Sequence, residues 1–126
     1  IAKCLSQEAD LYLLDEPSAY LDVEQRLSLS KVIREMMIDK GKEAIKIDHD
    51  LLFIDYLSKK ILVFEGEPAL SGETSGPHRM EIGMNQFLKG LNITFRRDEQ
   101  SNRPRVNKLD SQLDKEQKSS GKLYYI

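Results

Sequence analysis

Apolar residues change their spacing several times along this chain, and each change predicts an element. Leu11-Tyr12-Leu13-Leu14 runs without alternation into Asp15-Glu16-Pro17. An unbroken run wants cover on both faces, which predicts a central strand of a parallel sheet between helices. Pro17 cannot continue the ladder, so the strand ends on two carboxylates. Upstream, Ile1 to Leu5 read as the end of an amphipathic helix that closes before Asp10. Downstream, Leu29, Val32, Ile33, Met36 and Met37 recur at helical spacing and predict one apolar face. Asp22 with Gln25 three positions on makes a capping-box pattern, and Gly41 suits the left-handed position that ends the helix.

A second strand is predicted over Glu43 to Asp48, with His49-Asp50 at its carboxyl end. Lys46 interrupts it and must snorkel, or the strand lies near an edge. Asp50 suits the cap of a helix that buries Leu51, Ile54 and Leu57. Ile61-Leu62-Val63-Phe64 reads as another buried strand, Glu65 to Pro68 as a turn, and residues 69–77 as a loop. His78 has no metal-ligating companion at useful spacing and reads as a surface loop residue. Residues 79–90 predict a helix burying Met80, Met84, Phe87 and Leu88. Asn92 to Asp98 then read as a short strand, followed by a Pro-interrupted basic stretch from Arg103 to Lys108. A charged helical or loop segment from Asp114 to Gly121 and a closing Tyr124-Tyr125-Ile126 complete the chain.

At 126 residues, the chain allows one small domain or part of a larger one. A net charge of −2 does not mark the whole as a nucleic-acid binder. The charge is segregated, however: residues 1–95 hold 11 basic and 16 acidic groups, residues 96–126 hold 8 and 5. Cys4 is the sole cysteine, which excludes an internal disulfide or a Cys-x-x-Cys metal site and suits packing as a small apolar group. No apolar run approaches the roughly 18 residues of a membrane span, and no signal-peptide pattern opens the chain. A cytoplasmic setting is expected.

The chemistry concentrates at the two strand ends. Ligands of open α/β sheets bind at the carboxyl ends of the strands. Asp15 can hold a metal directly or through a water, and Glu16 can take a proton from an attacking water. His49 reaches the same edge from a second βα unit, where an imidazole suits orienting better than proton removal. Arginines of the tail can bind phosphate or carboxylate bidentately, while interspersed acids oppose a simple polybasic arm. By residue types alone, a solvated extension and a phosphate or partner contact both stay open there.

The string apolar-apolar-Asp15-Glu16-Pro17-Ser18-x-x-Leu21-Asp22 resembles the Walker B motif and D-loop of ATP-binding-cassette (ABC) ATPases. The resemblance implies Mg²⁺ support by Asp15, general-base action by Glu16 and γ-phosphate contact by His49, the switch histidine. It implies that Ser18 and Asp22 belong to the D-loop at the nucleotide interface, facing a partner cassette. Asp48, where that family more often has Glu, and Lys46, in a strand usually apolar, depart from the pattern. The Gly-x-x-x-x-Gly-Lys-[Ser/Thr] phosphate loop and the signature motif are absent from these residues. The segment alone is therefore expected neither to bind ATP tightly nor to hydrolyse it, and to expose sheet edges and apolar surface.

Ile93-Thr94-Phe95-Arg96-Arg97-Asp98, Arg103 to Lys108 and Asp114 to Gly121 narrow the resemblance to the ribosome-recycling ATPases of ABC subfamily E, the RNase L inhibitor family. That resemblance implies an α/β fold, a partial P-loop NTPase core with a parallel sheet plus a C-terminal hinge-like extension. Residues 1–90 would be the distal part of the second nucleotide-binding domain and 91–126 the hinge segment. Arg96, Arg97 and Arg105 would hold two cassettes together, with ribosomal RNA contact secondary. The implied cofactors are ATP and Mg²⁺, with iron–sulfur clusters only in a missing N-terminal region. The implied partners are ribosomal subunits, release and initiation factors and the first cassette of the same chain, without a membrane. ATP-driven closure would split ribosomes into subunits, and hydrolysis would reset it. An ATPase subunit of a transporter and a non-catalytic interaction fragment remain as alternatives.

Overall fold

The computed structural model describes residues 1–101 and 103–124, so Tyr125 and Ile126 of the predicted terminal segment lie outside the described residues. The chain divides into two units, Ile1–Leu57 and Ser58–Ile126.

In the first unit the order is α1 (Ala2–Leu5), β1 (Leu11–Asp15), α2 (Val23–Lys40), β2 (Glu43–Ile47) and α3 (Leu51–Leu57). β1 and β2 pair in parallel from Leu11 opposite Glu43 to Asp15 opposite Ile47. The predicted capping box forms: Asp22 accepts from the Gln25 amide at 2.8 Å, and the Gln25 side chain accepts from the Asp22 amide at 3.1 Å. Gly41 ends α2 at φ 61°, as its lack of a Cβ permits.

Burial is one-sided, which corrects the expectation of a strand covered on both faces. Tyr12 and Leu14 are buried with Leu5, Ile33 and Phe53, and Cys4, Leu29, Met36, Met37 and Leu57 pack around them. Leu13 and Ile47 remain 68% and 64% exposed. Residues from α1, α2 and α3 all join the cluster on the Tyr12 and Leu14 side, and among its described residues this unit supplies no layer for the opposite side. Val32 also departs from its predicted role and is exposed, because the covered stripe of α2 centres on Ile33. In α3 the fully buried residue is Phe53, while the predicted Leu51, Ile54 and Leu57 are half-buried. Lys46 does not snorkel out to water: its Nζ donates to the Phe53 carbonyl at 2.7 Å and sits 3.9 Å from that ring's centre.

The second unit contains β3 (Lys60–Glu67), β4 (Ser71–Arg79), α4 (Met80–Leu91), β5 (Phe95–Arg97), β6 (Pro104–Val106) and α5 (Gln112–Ser120). β3 and β4 form an antiparallel hairpin, so most of the predicted 69–77 loop is strand. Only Val63 of the predicted buried run is fully covered, and Phe64 is 72% exposed. A hairpin packed on one helix has a single inner face. His78 is likewise in β4, opposite Ile61 and half-buried, rather than in a surface loop. In α4, Met84 and Leu88 of the predicted face are fully buried, while Met80 and Phe87 are half-buried.

The tail is built on a buried polar quartet that the apolar pattern does not announce. Thr94 donates to Asp114 at 2.6 Å and accepts from Asn107 at 2.9 Å. Asn107 also donates to the Gln117 side-chain oxygen, and Gln117 donates to the carbonyls of Phe95 and Lys122 at 2.9 and 3.2 Å. All four residues are at most 4% exposed. Asp114 lies below the usual carboxylate range, because Thr94 and Lys118 donate to it and the Asp110 amide adds a third bond. Asn85 of α4 accepts from the amides of Leu123 and Tyr124, which ties the end of the described chain to that helix.

Candidate functional site

Parallel pairing decides what meets at the carboxyl edge of the first unit. Asp15 closes β1 opposite Ile47, and the next amide, that of Glu16, donates to the Ile47 carbonyl at 2.8 Å. The chain then turns sharply, with the Ala19 amide bonded to the Glu16 carbonyl at 3.0 Å. Glu16 adopts φ 44° to make this turn, a region that L-residues other than Asn and Asp seldom visit. Tyr20 has φ 64° and is fully exposed two residues before the cap of α2.

The same edge receives the segment after β2. His49 Nδ1 lies 3.6 Å from Glu16 Oε1, within ion-pair range for a protonated imidazole and too long for a direct hydrogen bond. Asp15 is exposed, with no hydrogen bond or ion pair to another described residue. Asp15, Glu16 and His49 therefore do converge on one edge, as the order of strands implied. Asp22 is committed to capping α2, with its side chain on an exposed turn. Ser18 is 1% exposed, and both its amide and its hydroxyl are directed at Asp48, at 3.2 and 2.8 Å.

Sequence reasoning treated Asp48 only as a departure from a pattern. In the structure it accepts three hydrogen bonds, the third from the Asp50 amide at 2.9 Å. Burial pushes the Asp48 carboxyl up, but its bonds from Asp50 and Ser18, with Lys46 nearby, outweigh that and leave it below the usual range. Burial dominates for Lys46 instead and lowers it to about 8, with Asp48 and Asp50 only partly offsetting the effect. Asp50 performs its predicted capping role, accepting from the amides of Leu52 and Phe53 at 2.9 and 3.2 Å. Its second oxygen pairs with Arg26, whose Nε donates to the Leu21 carbonyl at 2.9 Å. The contacts between Asp48 and Ser18 span 30 residues, so no local signal could have revealed them.

No protein-family model matches the chain. Translation initiation factor RLI1 of Saccharomyces cerevisiae is 52% identical over 126 residues, the whole of this chain and 21% of its own length. An ABC transporter ATP-binding protein of Methanocaldococcus jannaschii is 54% identical over the same span. An archaeal ribosome recycling factor, aABCE1, solved in complex with the ribosomal stalk protein aP1, superposes with a TM-score of 0.87 at 54% identity. That match covers 97% of this chain and 24% of the other.

The chain is homologous to the ABCE1/RLI1 proteins.

It spans about a fifth of the length of the curated ABCE1/RLI1 relatives it matches. The homology runs through the tail as well as the strand edge, because the RLI1 match leaves no residue of the chain out. Arg96 and Arg105, the tail cations that sequence reasoning singled out with Arg97, have partners inside their own unit. Arg96 donates to Asn107 at 3.1 Å, and Arg105 pairs with Asp98 at 2.9 Å. Among the described residues, no helix is long and apolar enough to cross a membrane.

Proposed function

We propose that this chain is the distal part of the second nucleotide-binding domain of a twin-cassette ABC ATPase. The intact protein would use ATP binding and hydrolysis to split ribosomes into subunits. The observation that carries the reading is the parallel β1–β2 pair, which sets Asp15, Glu16 and His49 on one edge within an ABCE1/RLI1-like segment. Residues 91–126 then form a hinge-like extension, and Arg96, Arg97 and Arg105 serve the contact between cassettes, with ribosomal RNA secondary. Ribosomal subunits, release and initiation factors and the first cassette are the partners.

Asp15 suits Mg²⁺ support, because its free carboxylate is held on a strand end whose register with β2 is fixed. Mg²⁺ commonly takes one or two carboxylates and completes its shell with phosphates and waters. Bound Mg²⁺–ATP would supply the electrophilic γ-phosphate. Glu16 takes the proton of the attacking water, and His49 donates toward the phosphate and orients that water. Ser18 and Asp22 belong to the D-loop at the nucleotide interface, through which closure reaches the partner cassette. One cysteine cannot ligate a cluster, so iron–sulfur centres of the intact protein belong to other segments. The exposed Leu13 and Ile47 agree with a sheet face that the rest of such a domain covers.

Glu16→Gln in the intact protein tests the reading. With the first cassette's own general base removed in both parent and variant, so that only this site turns over, Glu16→Gln lowers steady-state ATP hydrolysis by about 100-fold or more, with ATP-dependent closure retained. Unchanged turnover removes Glu16 from the mechanism and favours a non-catalytic fragment.

A further inference from the structure

Glu16 and His49 are poorly fixed by their own side chains, which are 56% and 73% exposed. Their spacing must come from the backbone on either side. Ser18 lies two residues beyond Glu16 and is buried; Asp48 directly precedes His49. The Asp48 carboxylate joins the two segments with both oxygens in use. Oδ2 accepts from the Ser18 amide, and Oδ1 accepts from the Ser18 hydroxyl and the Asp50 amide. The Arg26 guanidinium, between Asp50 and the Leu21 carbonyl, makes a second bridge one turn further out.

We infer that Asp48 is a positioning residue, whose carboxylate latches the turn carrying Glu16 to the segment carrying His49 and thereby sets the separation of that pair. This rests on the catalytic reading of Glu16 and His49 given above. The latch needs a carboxylate rather than an amide. An Asn at position 48 has one acceptor oxygen and one NH₂, and either rotamer leaves an NH₂ facing a backbone N–H of Ser18 or Asp50. Because Ser18 also opens the D-loop segment, displacement of that loop would be felt at His49 through a single side chain.

The test places Asp48→Asn, Asp48→Glu, Ser18→Ala and Glu16→Gln in the intact protein with the first cassette's own hydrolytic site disabled, so that kcat reports this site alone. Misplacement of catalytic groups acts on the chemical step. Asp48→Asn is therefore expected to lower kcat for ATP roughly tenfold, with KM changed by less than about twofold. Asp48→Glu keeps both acceptor oxygens and should restore kcat to within about threefold of the parent. Ser18→Ala removes one of the three bonds and should lower kcat in the same direction by roughly threefold, deciding the matter if Asp48→Asn does not fold. A normal kcat in Asp48→Asn or Ser18→Ala, or a loss confined to KM, overturns the latch. Impairment of Asp48→Glu equal to that of Asp48→Asn overturns it too. If those variants are normal while Glu16→Gln is inactive, only the latch fails; if Glu16→Gln is itself normal, the catalytic reading fails.

Discussion

Gly83 offers a test in which two ordinary expectations have opposite signs. It is buried inside α4, where replacing Gly by Ala normally stabilises by about 1 kcal/mol. A Cβ at this position, however, would lie 1.9 Å from Ile61 Cγ2 and 3.5 Å from His78 Cβ. Ile61 is ill suited to yield. Its β-branched side chain is stiff at χ1, and its backbone is paired with His78 in the β3–β4 hairpin. Overpacking costs about 1–3 kcal/mol, and an overlap this deep belongs at the upper end. After the propensity gain, Gly83→Ala should destabilise the second unit by about 2 kcal/mol. For a unit of this size, that lowers Tm by roughly 10 °C. Calorimetry of the chain and of Gly83→Ala, each with and without Ile61→Ala, separates the terms. With Cγ2 gone, the helix preference should reappear and Gly83→Ala should become neutral or stabilising. A higher Tm for the single Gly83→Ala variant, or an equal loss in the Ile61→Ala background, refutes the steric argument.

Two further outcomes follow from buried polar groups. Gln117→Leu keeps the shape but strips partners from the Phe95 and Lys122 carbonyls and from Asn107, so urea unfolding should show a loss of about 3 kcal/mol. A loss under about 1 kcal/mol would mean that water or a rearranged chain replaces those bonds. Lys46 gives a pH signature: folding lowers it from 10.5 to about 8, so the unfolded chain binds more protons between those values. Its contribution to stability therefore rises with pH across that window and is constant below it. Unfolding of Lys46→Met across the same range supplies the reference, and a parent-minus-variant difference that stays flat from pH 8 to 10.5 contradicts the assignment.

Local grammar was readable wherever the controlling partners are neighbours in sequence. The Asp22–Gln25 box, Gly41 and the Asp50 cap each act within a few residues, and each formed as predicted. The apolar run of β1 was also readable as a strand, yet an apolar run does not say which segments will cover it. Tyr12 and Leu14 found cover while Leu13 did not. β4 was missed because Ser71 to Arg79 carry no apolar alternation, and it is a strand through pairing with β3 rather than through its own pattern. The convergence of Glu16 and His49 followed from strand order. The half-buried Asp48 and the buried Thr94, Asn107 and Gln117 could not be placed, because their contacts depend on partners distant in the chain.

The backbone at Glu16 sets stability and chemistry against each other. At φ 44° a glycine would sit without penalty and an asparagine with little, whereas a glutamate carries strain on the order of 1 kcal/mol. Any selection that rewards thermal resilience alone will therefore push this codon away from a carboxylate. Libraries screened for yield or heat tolerance should enrich inactive clones at this position unless turnover is scored in the same round.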